Sequence, residues 1–195
     1  MLRLLTRRWF DRHPLKEFSA ARYQYSLMLN EGFEEQADKL IREHGLDNPL
    51  SAKYAQAIGK EEDLKELLRW MKRTVSGQGA LLLRDKVLKR EEEALPEIKR
   101  MLLTTGSDPF VENAIRLLKR FRENPAPWLL EHYGEIRYPY ARSSMCLVLG
   151  FRADESAVPF LIAQVEEMEK NWPKENYAQA PLLALYELKA RFGEA

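Results

Sequence analysis

The sequence holds a single cysteine, Cys146, so no disulfide can close within the chain. Its three histidines, His13, His44 and His132, sit in separate segments without metal-ligand spacing, so no Cys/His zinc site can be built from them. No apolar run approaches the ~18 residues of a membrane span. Residues 1–14, MLRLLTRRWFDRHP, break their apolar positions with arginines and so lack the continuous apolar region of a secretory signal. There is no GxGxxG, GxxxxGK[ST], HExxH or GxSxG, which argues against dinucleotide, phosphate-loop, metalloprotease and serine-hydrolase chemistry. Neither sign of charge dominates. The 31 basic and 30 acidic residues leave a formal net charge of +1, which argues against a nucleic-acid backbone as partner because few phosphates would be neutralised. The expectation is a cytoplasmic protein without metal or cofactor.

What is present is helical patterning. With 45% hydrophobic and 31% charged residues but only 9 glycines, the composition is that of an all-α chain able to bury a core. Three segments align: FVENAIRLLKRF (110–121), YARSSMCLVLGF (140–151) and YAQAPLLALYEL (177–188). Phe110, Tyr140 and Tyr177 share the first column, Ile115, Met145 and Leu182 the sixth, and Phe121, Phe151 and Leu188 the last. Filled positions advancing by three or four describe a buried helical face; a strand would alternate. Before each lies a shorter apolar helix with a proline near its start, LPEIKRMLL (95–103), APWLLEHY (126–133) and VPFLIAQV (158–165). Pro96, Pro127 and Pro159 are expected in first turns, where the missing N–H costs little. Two residues after each comes Ile98, Leu129 or Leu161, a shared core position.

Prolines recurring every 31 to 32 residues fall within the period of helical-repeat arrays. The order LPEIKRML, YARSSMCLVLGF, DESAVPFLIAQV resembles the HEAT-repeat family, in particular the short HEAT repeats also found in phycobilisome lyases. The resemblance covers about half of the chain and implies a right-handed α-α superhelix, an armadillo-like solenoid of eight to nine helices. In the last unit the linker KNWPKENYA (170–178) is long and Pro181 falls within the second helix, as an atypical terminal repeat would have it.

The N-terminal part reads as two helical hairpins. Residues 15–30 and 33–44 form the first, with Gly32 as the stop between them and Gly45 as the stop after; LMLNEGFEEQADKL (27–40) resembles the turn of a tetratricopeptide repeat. Asn48 and Pro49 open a helix over 50–58, and residues 61–75 supply the next. SGQG (76–79) is the best candidate boundary, read as a turn inside one continuous array, so that residues 1–76 are hairpins and 79–195 repeats of one solenoid domain. A helix over 80–90 follows, with RDKVLKREEE as its solvated side. The Arg-rich start could be an ordinary first helix or tail, a targeting peptide or a membrane-surface helix.

No catalytic constellation stands out. Cys146 has Ser143 and Ser144 nearby but no histidine, and a cysteine in MCLVLG reads as a small core hydrophobe. Tyr138, Tyr140 and Trp172 lie at inter-helix turns, either packing under loops or forming a recognition edge. The expected function is a non-enzymatic protein-interaction scaffold. Its candidate face is the polar set left over by the core columns: Glu112, Asn113, Arg116, Tyr138, Arg142, Ser143 and Gln179, with Glu112, Arg142 and Gln179 in one column. The alternative is a nucleic-acid-directed protein resembling the DNA-alkylation-repair glycosylases built from HEAT-like repeats, for which Arg116, Lys119, Arg120 and Arg122 would be the basic cluster. A lyase-like or small-ligand role follows from the phycobilisome-lyase resemblance alone, with no residue to carry it.

Overall fold

Helix signals placed at regular intervals by caps and prolines give, in the computed structural model, an all-helical chain described over residues 31–45 and 48–192. Among the described residues there are ten α-helices and no strand, more helices than the eight to nine expected. They are α1 (Glu31–His44), α2 (Pro49–Lys60), α3 (Leu64–Trp70), α4 (Gly77–Lys89), α5 (Glu91–Leu102), α6 (Asp108–Leu118), α7 (Ala126–His132), α8 (Pro139–Arg152), α9 (Val158–Asn171) and α10 (Gln179–Phe192). The helix expected over 15–30, the arginine-rich start and His13 lie outside the described residues. No described helix is long and apolar enough to cross a membrane.

The chain divides into two compact units, Met1–Gly45 and Leu46–Ala195. In the first, α1 ends at Gly45, whose positive φ of 71° and N–H bonded to Ile41 O at 2.9 Å make it the expected stop. Gly32 does not separate two helices, since α1 already begins at Glu31.

The second unit is organised by its even-numbered helices. α2 packs on α4, α4 on α6, α6 on α8 and α8 on α10, while α3, α5, α7 and α9 each pack against the even helix that follows. The core runs through both sets. Ile98, Leu129 and Leu161, the expected shared position, are fully buried on α5, α7 and α9. Phe110, Met145, Phe121 and Leu188 of the aligned columns are buried as well. Tyr140, Tyr177, Leu182 and Phe151 are only partly covered, and Lys119 holds its ammonium 4.0 Å from the Phe151 ring centroid. Cys146 is buried and free, as a core hydrophobe should be.

Capping follows the sequence closely at α2, where Asn48 Oδ1 accepts from the N–H groups of Leu50 (3.0 Å) and Ser51 (2.9 Å). At α6 the cap is Ser107, whose Oγ accepts from Phe110 N–H at 3.4 Å, and Asp108 and Pro109 lie inside the first turn. SGQG is no linker but the start of α4. Gly79 is buried, and a Cβ there would stand 2.9 Å from Val75 Cγ1 and 3.3 Å from the Ala55 backbone nitrogen, so glycine permits the close approach of α2 and α4.

Two expectations need correcting. Pro96 is not in a first turn, because α5 starts at Glu91, next to Arg90, which ends α4 and begins α5 at once. The three glutamates Glu91, Glu92 and Glu93 extend that helix N-terminally, as acidic residues in a first turn should. RDKVLKREEE is also more than a solvated side. Glu91 is only 8% exposed, and Lys86 and Arg90 reach across to the carboxyl end of α2.

That reach recurs. Lys86 Nζ donates to Gly59 O (2.9 Å) and Glu61 O (2.7 Å), and Arg90 to Glu62 O (2.8 Å), at the end of α2. Arg152 from the end of α8 donates to Lys119 O (3.1 Å) and Phe121 O (2.8 Å), just past α6. Arg191 from the end of α10 donates to Gly150 O (2.7 Å) and Ala153 O (3.2 Å) at the end of α8. Carbonyls at a helix C-terminus have no intrahelical donor and carry partial negative charge, so a cation there satisfies both needs. These contacts align α2 with α4, α6 with α8 and α8 with α10 carboxyl end to carboxyl end. At their other ends Ser51 Oγ meets Ser76 Oγ (2.8 Å) and Ser143 Oγ donates to Tyr177 O (2.5 Å). Gly150 lets α8 and α10 touch: a Cβ there would lie 2.7 Å from Ala184 Cα.

Candidate tyrosine cleft

The amino ends of α6, α8 and α10 meet around a cleft of about 220 Å³. Thr105, Gly106 and Asp108 line it from the entry to α6, Tyr138, Pro139, Tyr140 and Ala141 from α8, and Tyr177 from the turn before α10. Each tyrosine arrives for a local reason. Tyr138 is the last extended residue before Pro139, and the residue preceding a proline is driven out of the helical region. Its ring lies against Gly106, where a Cβ would be 3.0 Å from Tyr138 Cζ, so the missing side chain makes room for the ring. Tyr140 donates to Glu112 Oε1 at 3.4 Å, one turn along α6. Tyr177 stacks edge-on with Trp172, 6.0 Å between centroids, and its carbonyl is held by Ser143.

The cleft is electrostatically one-sided. Among the described residues Asp108 is the only charged one lining it, and Glu112 accepts from Tyr140 beside it. Tyr138 carries no side-chain cap for α8, and Pro139 has no N–H to offer in its first turn.

The structure separates the seven residues expected to form an interaction face. Tyr138 is 47% exposed in the cleft, Glu112 is exposed at its edge and Gln179 is exposed at the start of α10. Asn113 turns inward and donates to Met71 O at 3.0 Å. Arg116 is half-buried, and its carbonyl accepts from Arg120 at 2.9 Å. Ser143 is buried beneath Tyr177. Arg142 pairs with Glu167 at 2.9 Å and stacks 5.3 Å from the Tyr133 centroid. Tyr133 in turn donates to Arg142 O at 2.8 Å and touches Cys146 Sγ at 3.3 Å. Burial pushes the Cys146 thiol up to about 12, favouring the protonated form, despite its contact with the Tyr133 hydroxyl and the nearby Arg142 charge. Gly106, Asp108 and Thr105 were missed by sequence reasoning, although TTGSDP, a small-residue turn before a helix, was a signal that something packs on it.

A larger hollow of about 320 Å³ lies between α5 and the loop after α6. Four of the five charged residues lining it are committed to each other: Lys99 to Glu123 at 2.7 Å, Glu91 to the Glu123 N–H at 2.8 Å and to Arg122 at 3.6 Å. Among the described residues no group of His, Cys, Asp and Glu could hold a metal ion. Compared with family models, curated proteins and solved structures, the chain matches none.

Proposed function

We propose that residues 46–195 form a HEAT-like, right-handed α-α superhelix that serves as a non-enzymatic scaffold and binds a partner protein through the tyrosine cleft. Tyr138 carries this reading: a large aromatic, 47% exposed, in a concave site formed by the starts of three stacked helices. Tyrosine is among the residue types that dominate protein interfaces, because it offers rigid apolar area with a polar tip. Stacked repeats present such residues as a continuous edge.

The nucleic-acid reading finds less support. Lys119 is 3% exposed and lies over Phe151, and Arg122 faces the Glu91 carboxylate, so the basic cluster does not form a common basic face. Duplex DNA should bind no tighter than ~10⁻⁴ M at physiological salt. A random peptide display library panned on the wild-type chain, with counter-selection on Tyr138→Ala, tests the scaffold reading. Peptides retained by wild type and lost by the variant are expected; peptides retained equally by both would place binding elsewhere.

A further inference from the structure

We infer that the tyrosine cleft receives an arginine side chain of the partner; this rests on the scaffold reading and specifies its chemistry. At about 220 Å³ the cleft is below the ~300–1,000 Å³ of small-molecule sites and suits one long side chain. Tyr138, 47% exposed, and Tyr177 supply ring faces of the kind to which a cation is attracted within about 6 Å. Asp108 and Glu112 supply carboxylates, and among the described residues no cation pairs with either. Arg137, next to Tyr138, is exposed but does not line the cleft.

The opposite reading, an anion on the amino end of α8, fails on magnitude. The amino end of a helix is worth roughly half a positive charge, against two full negative charges from Asp108 and Glu112. Arginine suits the site better than lysine because its planar guanidinium can stack on a ring and grip a carboxylate at once. The molecule already contains this arrangement: on α8, Arg142 lies over Tyr133 and pairs with Glu167. The cleft has the ring and the acid, and among the described residues no arginine lines it.

Tyrosine-ring NMR of the full chain, titrated with an acetylated, amidated Gly-Gly-Arg-Gly-Gly peptide and with its citrulline counterpart, tests this. Citrulline keeps the shape and removes the charge. The arginine peptide should shift Tyr138, Tyr140 and Tyr177 saturably, and the citrulline peptide should bind about fivefold more weakly or worse. Asp108→Asn and, separately, Glu112→Gln should each weaken the arginine peptide about threefold or more while the helical circular dichroism is unchanged. Equal binding of the two peptides, or no saturable shift at these rings, would overturn the inference. Tyr138-dependent peptides from the display library that contain no arginine would overturn it and leave the scaffold reading standing. Arginine-dependent shifts with no Tyr138-dependent displayed peptide would uphold the cation site and overturn the scaffold reading.

Discussion

The two ends of the stacked even helices differ in how their unmet backbone groups are satisfied. At the carboxyl ends, Lys86, Arg90, Arg152 and Arg191 reach from one helix onto the carbonyls of the one before, so the chain closes that edge with its own cations. At the amino ends of α6, α8 and α10 there is a tyrosine-lined hollow, and α8 begins without a side-chain cap. An edge that consumes its own hydrogen-bonding capacity can hold the stack together; one that leaves it turned outward is available to a partner. On the proposed reading, stability and recognition fall to opposite edges of the same helices.

The largest expected effect comes from removing the core under the closed edge. Phe121, fully buried at the end of α6, should cost about 3–5 kcal/mol as Phe121→Ala, seen as a cooperative drop in the denaturation midpoint. Arg152→Ala should cost about 2 kcal/mol, because it strands the partly buried carbonyls of Lys119 and Phe121. A loss below about half a kcal/mol would mean that water replaces the guanidinium and the edge is not closed by it.

Glu91 sharpens the comparison through pH. Burial, the largest single influence, raises its pKa, yet the N–H groups of Arg122 and Glu123 with the Arg122 guanidinium together outweigh it and hold the carboxyl below its ordinary 4.5. A lowered folded-state pKa contributes stability above the ordinary value, and that stability is lost as pH falls through the folded value. Glu91→Gln should therefore lose about 1 kcal/mol at pH 7 and decline less steeply than wild type below pH 4.5 in acid titrations followed by circular dichroism. Parallel acid curves would show that Glu91 does not brace the loop after α6. The smallest effect belongs to the open edge: Tyr138→Ala should change stability by no more than about half a kcal/mol, since Tyr138 is exposed.

These edges were unequally legible in the sequence. Ile98, Leu129 and Leu161 could be read in advance because burial on a helix imposes a period and each follows a proline by two residues. The aromatic column was only partly readable. Phe110 is buried, but Tyr140 and Tyr177 sit at the rim, since the same first-turn position can face the core or the gap between helix ends. The closed edge was hidden. Arg152 directly follows the last column residue Phe151, whereas Arg191 comes three after Leu188, and a long side chain's reach leaves no fixed spacing to detect. Ser143 and Arg142 looked like free polar positions because hydropathy cannot distinguish a solvated polar residue from one buried with its partner, here Tyr177 O and Glu167.

Measuring the thermal midpoint and the affinity for a selected, Tyr138-dependent peptide on both Arg152→Ala and Tyr138→Ala tests the division between the edges most directly. Arg152→Ala should lower the midpoint by several degrees and, below it, bind the peptide as wild type does, while Tyr138→Ala should keep the midpoint and lose the peptide. Loss of peptide binding by folded Arg152→Ala, or a midpoint drop in Tyr138→Ala as large as that in Arg152→Ala, would contradict it.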